Sequence, residues 1–265
     1  MLAEMHIRVW TPHSDTTDRT QAAPNKPAKA SAPSVTPTAS FSDATAPRPL
    51  GEAWPDDPAR RATLGWAALQ SAVQQCQSCA LGQSRQQAIW GQPVQAHDTP
   101  HADWVVVLPP PSADEDAQGL PMVGEPGQLL DNILAAVGLQ REGLGALGQS
   151  VFLTPAVKCA PPQARNPQAP ELDMCAPYLA RQIALLQPRV IVAMGLVAAQ
   201  AVLRHDAASI ANLPLGRLRA QLWQHHGIPV VVTYPSAYLL RNPADKAKSW
   251  ADWCMARSLA AALTG

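Results

Sequence analysis

The chain has 265 residues, with 20 Lys and Arg against 20 Asp and Glu and a hydrophobic fraction of 47%. That length holds one sizeable domain plus an extension, and that apolar fraction is enough to bury a core. A formal net charge of zero excludes any global attraction to nucleic acid, so DNA binding must rest on locally placed basic residues.

Met1–Trp10 has no apolar stretch followed by a small-residue cleavage site, so it does not read as a signal peptide. No apolar run reaches the length of a membrane span, which predicts no membrane association. The expectation is a cytoplasmic protein, where structural disulfides are rare. The five cysteines then read as metal ligands or redox groups rather than as a disulfide framework.

Met1–Trp10 alternates enough to predict a short docking segment. From Thr11 to Arg60 the chain is rich in Pro, Ala, Ser, Thr and Asp and shows neither helical nor strand periodicity. Such a segment buries too little apolar surface to offset the entropy of ordering it, so residues 1–60 read as a disordered extension and 61–265 as the folded domain. Leu64–Gln75 reads as a helix leading into Cys76, and Trp104–Leu108 as a buried strand. Gln128–Val137 carries Leu129, Leu130, Ile133, Leu134 and Val137 on one helical face, with Gly138 able to end it. Val151–Leu153 predicts a second strand and Glu171–Leu186 a helix closed by Pro188. Val190–Met194 predicts a third strand, followed by Gly195 and a helix to Leu203. Pro229–Thr233 predicts a fourth strand and Ala244–Leu263 a terminal helix. Strands alternating with helices imply an α/β fold: three α/β/α layers around a short central parallel sheet. Ligands of such sheets sit at the carboxyl ends of the strands, so the loops after Leu108, Leu153, Met194 and Thr233 are the ones to watch.

Cys76 and Cys79 form a C-x-x-C in a loop after a helix, Cys159 follows the second strand, and Cys175 lies on the next helix. Four thiolates suit tetrahedral zinc or a four-iron cluster. A thioredoxin-like motif would open a helix directly after a strand, whereas this one precedes the first strand. The plain alternative makes Cys159 and Cys175 buried apolar thiols, and Cys254 reads as a small core residue on the terminal helix. His225 and His226 precede a strand and read as packing or surface residues.

With these pieces in order, the stretch from Cys76 to Trp253 resembles the family-4 uracil-DNA glycosylases. The matching segments are CQSC at 76–79, EDAQGLPMVGEPGQLLD at 115–131, VKCAPPQARNP at 157–167, CAPYLARQIALLQPRVIVAMG at 175–195, HGIPVVVTY at 226–234 and YLLRNP at 238–243. The resemblance implies that Cys76, Cys79, Cys159 and Cys175 ligate a [4Fe-4S] cluster that pins the N-terminal loop to the segment after the second strand. It implies a monomer acting on single- or double-stranded DNA, uracil-containing DNA among it, in base-excision repair. Gln118, Gly119, Met122 and Tyr238 fall at substrate-binding positions. Lys158, Arg165 and Arg241 fall where phosphates would be met, and Leu240 in a loop that can wedge into a duplex.

The same resemblance exposes departures. A uracil glycosylase flips a base, reads its edge and stabilises the departing uracil anion. The family's Gly-Glu-Ala-Pro-Gly after the first strand is aligned here with Leu108, Pro109, Pro110, Pro111 and Ser112, so Pro109 takes the acidic position and the loop loses amides. The stacking Phe is replaced by Met122, a poorer face for a base. The uracil-reading Asn after Thr154 is Pro155, and the His after the last strand is Pro235, with Ser236 next. Three readings follow. One is a glycosylase rearranged around Tyr234, Ser236 or Tyr238. Another is a catalytically inactive relative that binds DNA or protein. The third is a cluster with a redox or stabilising role and a Pro-rich N-terminus that recruits partners.

Overall fold

The computed structural model describes residues 61–92, 101–141, 150–206, 210 and 213–262. The docking segment and disordered extension expected over residues 1–60 lie outside the described residues. Five strands form one sheet: β1 Trp104–Leu108, β2 Val151–Pro155, β3 Val190–Met194, β4 Leu222–His225 and β5 Ile228–Thr233. Their order is β2-β1-β3-β5-β4. The first four in that order are parallel, and β4 pairs with β5 antiparallel.

The helices are α1 Trp66–Gln75, α2 Ala80–Ser84, α3 Ala113–Gln118, α4 Gly124–Ala136, α5 Ala169–Leu186, α6 Leu196–Val202, α7 Leu215–Leu218, α8 Ser236–Arg241 and α9 Lys246–Ala262. Side chains alternate across the sheet with period two. Val105, Val107, Phe152, Ile191, Val230 and Val232 pack with Leu69, Val73, Leu179, Ile183 and Val202 of α1, α5 and α6 on one face. Trp104, Val106, Leu108, Leu153, Val192 and Val231 pack with Leu130, Leu134 and Trp253 of α4 and α9 on the other. Two covered faces explain why the strands read as unbroken apolar runs. The three-layer α/β/α architecture is therefore the one expected. No helix among the described residues is long and apolar enough to cross a membrane.

Several boundaries moved. α4 begins at Gly124, not Gln128, because Gly124 and Pro126 start the helix before its apolar stripe is visible. α5 begins at Ala169, with Pro170 in its first turn and a Gln168–Glu171 capping box. Edge strand β4 was not anticipated: it has the burial pattern exposed, half-buried, exposed, buried, too weak a signal to separate from loop. It turns into β5 through His226 and Gly227, both at positive φ.

One close approach fixes the carboxyl end of the sheet. Gly195, at φ 95, follows β3, and a Cβ there would stand 2.8 Å from Pro235 Cγ beyond β5. Only glycine lets those two strand ends meet.

Candidate functional site

The four cysteines, scattered over 100 positions of sequence, line one small cavity. Cys76 ends α1, Cys79 caps α2, Cys159 follows β2 and Cys175 lies on α5, and all four share that cavity with Val73, Met174 and Tyr178. Leu81, Val157 and Leu172 pack round the thiols as a separate apolar cluster. Gly82 allows the tight loop, since a Cβ there would meet Cys76 O at 2.9 Å.

Hydrogen-bond donors converge on the sulfurs. Arg85 Nη1 donates to Cys159 Sγ at 3.0 Å, while its Nη2 donates to Gln74 O at 2.6 Å. The Lys158 amide donates to Cys175 Sγ at 3.3 Å. Ser78 Oγ is 3.5 Å from Cys76 Sγ and is itself held by Arg61 Nη2 at 2.7 Å. Arg61 also lies 4.8 Å above the Tyr178 ring. Burial pushes the Cys175 thiol up to about 12 and the Cys159 thiol above its ordinary value. Burial pushes Cys76 up as well, but hydrogen bonds from Tyr178 and Ser78 and the charge of Arg61 outweigh it and bring that thiol below its ordinary value.

This is a donor set for sulfur that carries charge. Thiolates are the form that binds metal, and N–H donors aimed at ligating sulfur are how proteins support such centres. Among the described residues no three His, Cys, Asp or Glu side chains are gathered as ligands of a single ion. Four cysteines around one cavity are the ligand number of tetrahedral zinc and of a four-iron cluster alike.

The carboxyl ends of β1, β2, β3 and β5 share one edge of the sheet, with Leu108 paired to Pro155 and Met194 to Thr233. Pro109, Pro155 and Pro235 therefore all lie at or just beyond these strand ends. Pro155 is built into the sheet as the last residue of β2, and its carbonyl accepts from Lys158 Nζ at 3.0 Å. Pro235 caps α8, and its carbonyl accepts from the amides of Tyr238 and Leu239.

Met122 is buried at positive φ. Its amide donates to Glu115, which also closes a capping box with Ser112 at the start of α3. Arg141 donates to the Met122 carbonyl at 3.1 Å and forms an ion pair with Asp131 at 2.7 Å. Gly127 must be glycine, because a Cβ there would meet the Met122 carbonyl. Gly119 is the left-handed cap of α3, and Gln118 is exposed on its last turn. Asp116 accepts from the amides of Gln86 and Gln87, joining the segment after α2 to this loop.

Tyr238 stacks on Tyr234, with ring centroids 4.8 Å apart, and its hydroxyl donates to Asp245 at 2.7 Å. Under Tyr234 lies the Arg219 guanidinium, 4.1 Å from the ring, in a buried ion pair with Asp252 at 2.7 Å. Burial pushes the Asp252 carboxyl above its ordinary value, and Arg219 pulls it back. Ser236 Oγ is buried with no hydrogen-bond partner among the described residues.

A family model described as the uracil DNA glycosylase superfamily matches residues 95–254. A type-4 uracil-DNA glycosylase from Pyrobaculum aerophilum is 33% identical over 191 residues, 71% of this chain and 90% of that protein. The chain belongs to the family-4 uracil-DNA glycosylases. Another type-4 member, from Sulfurisphaera tokodaii, is 32% identical over 63% of this chain and 72% of its own length. A type-5 uracil-DNA glycosylase from Thermus thermophilus is 33% identical over 46% of this chain and 58% of its own length.

Within the family-4 frame, one expected phosphate contact needs correction. Lys158 is 2% exposed, and its ammonium is taken by Thr154 Oγ1 at 2.5 Å, Gln182 Oε1 at 2.7 Å and the Pro155 carbonyl, out of reach of a phosphate. Burial lowers that ammonium to about 8. Arg165 is half-buried and grips Glu171 through both Nη atoms, at 2.6 and 2.8 Å, so it braces the start of α5 rather than pointing outward alone. Leu240 and Arg241 remain exposed on α8. The sequence reading missed Arg85, Tyr178, Glu115, Arg141 and Gln182. Only the Ser112–Glu115 capping box left a local signal; the others act across long sequence separations.

Proposed function

We propose that this chain is a DNA-directed member of its family that carries a [4Fe-4S] cluster on Cys76, Cys79, Cys159 and Cys175 and lacks ordinary uracil excision. When bound, the cluster supplies a rigid cross-link between the α1–α2 loop, the segment after β2 and α5. The observation that carries the reading is Pro155. A residue locked into β2, with no N–H and its carbonyl held by Lys158, offers a flipped uracil neither a donor nor an amide. Pro109 and Pro235 remove side-chain chemistry at the same edge, and loss of one anion donor alone costs about a hundred- to a thousandfold in rate. Exposed Leu240 and Arg241 support DNA contact, the leucine as a wedge and the arginine on phosphate. Gln118, Gly119, Met122 and Tyr238 shape the surface where a base would lie. We read the protein as a cytoplasmic monomer in DNA repair.

One observation favours the rival reading of a rearranged catalyst. Tyr234 and Tyr238 are tied to Arg219 and Asp245, but the Ser236 hydroxyl is buried and unpartnered among the described residues, beside Pro235. Uracil release from a single-uracil oligonucleotide, by anaerobically purified protein confirmed to hold iron, separates the two. The proposal expects no release together with salt-dependent retention of the oligonucleotide. Release abolished by Ser236→Ala would establish the rival.

A further inference from the structure

Lys158 is a charge without an obvious counter-charge. Its ammonium donates to a threonine hydroxyl, a glutamine carbonyl and a backbone carbonyl, so every N–H is used and every acceptor is neutral. None of the ion pairs among the described residues involves it. A buried cation held by neutral acceptors alone is costly, and folded proteins either pair such a group or discharge it. The groups next to it are thiols: its own amide donates to Cys175 Sγ, and Cys159 is the next residue. Lys158 also lines the cavity that the four cysteines share. From the other side, Gln182 donates to the Trp90 carbonyl at 3.0 Å, and the Thr154 hydroxyl lies 3.2 Å from the same oxygen. The polar chain therefore runs from the thiol cavity to the end of β2.

We propose that Lys158 is the buried counter-ion of the four-thiolate site and ties that site to the carboxyl end of β2 at Thr154 and Pro155. The inference rests on the cluster reading above. Four thiolates around an iron-sulfur core carry net negative charge, and reduction adds one more. A fixed cation in a low-dielectric surrounding stabilises that charge, and more so in the reduced state. In the absence of the cluster the same ammonium is a buried cation with no counter-charge, which is costly to keep.

The test uses the full chain, purified without oxygen, with Lys158→Met and Lys158→Gln as charge-removing variants and Thr154→Val as a variant that keeps the charge. Iron content, reduction potential followed by the visible absorbance and electron spin resonance of the reduced form, and thermal melting with and without iron are measured. The expected result is a more negative potential in both Lys158 variants, an unmoved potential in Thr154→Val, and an iron-free Lys158→Met protein that melts no lower than iron-free wild type. Iron lost from both Lys158 variants but kept by Thr154→Val supports the counter-ion as well. Full iron with an unmoved potential in the Lys158 variants overturns the inference alone, as does an equal shift in Thr154→Val, which would assign the effect to packing. Wild-type protein that holds no iron sinks the cluster reading, and the inference with it.

Discussion

The thiol cavity and the strand-end edge were assembled by the same fold and have fared differently. At the cavity, each element that should bring a cysteine brings one, and arginine, tyrosine and backbone amide donors face the sulfurs. At the strand ends the scaffold is equally well made. Gly195 lets β3 approach Pro235, Gly127 lets α4 approach Met122, and Arg219 and Asp252 underpin the tyrosine stack. On the proposed reading, hydrogen-bonding chemistry is what the strand ends lack, with proline at Pro109, Pro155 and Pro235. The contrast separates two demands that an active enzyme combines. Architecture needs shape and buried contacts, which proline at a strand end or helix cap satisfies. Catalysis needs donors aimed at developing charge, which proline cannot supply.

The largest effect should come from breaking the first region. Cys79→Ser is expected to lose most of the iron, and the melting temperature should fall by ~20 °C, which for a domain of this size corresponds to about 6 kcal/mol. Iron assay and melting by circular dichroism check this; a variant that keeps full iron and an unchanged melting point would remove the cysteine from the ligand set.

Next in size is the support under the second region. Arg219→Ala leaves the Asp252 carboxylate buried without its partner and should destabilise the chain by ~3–5 kcal/mol. Arg219→Met combined with Asp252→Leu should cost much less, because no charge is stranded. Denaturant titration of both variants distinguishes the two. Equal losses would mean that packing of Arg219 on Tyr234, not the ion pair, holds this edge.

The smallest and most informative change restores chemistry on the kept scaffold. Pro155→Asn with Pro235→His should raise uracil release above the parent by about a hundredfold or more if the strand ends still have glycosylase geometry. The assay is release of free uracil from an oligonucleotide. No gain, with melting unchanged, would mean that the two regions differ in geometry as well as in side-chain chemistry.

Much of this was legible in the residues. The runs WVVVL and VIVAM read as buried strands because both of their faces are covered, and α4 and α5 declared themselves by apolar spacing. The four cysteines stood out by their spacing, and the three prolines by comparison with the family's motifs. Edge strand β4 did not, since one buried residue in four carries no period. The short helix α8 was expected as a loop carrying Leu240, because six residues hold too few turns to repeat a pattern.

The sequence by itself determined the alternation of strands and helices, the spaced cysteines and the prolines after the strands, because these depend on residue type and local spacing. Only the tertiary structure decided what the cations do. Lys158 looked like a phosphate contact in VKC, and Arg165 like another in ARNP. Folding turned the first inward onto Thr154, Pro155 and Gln182 and paired the second with Glu171. A long flexible side chain takes its role from the partners the fold brings to its tip. Gln182, 24 residues beyond Lys158 on another element, is such a partner, and no local pattern announces it.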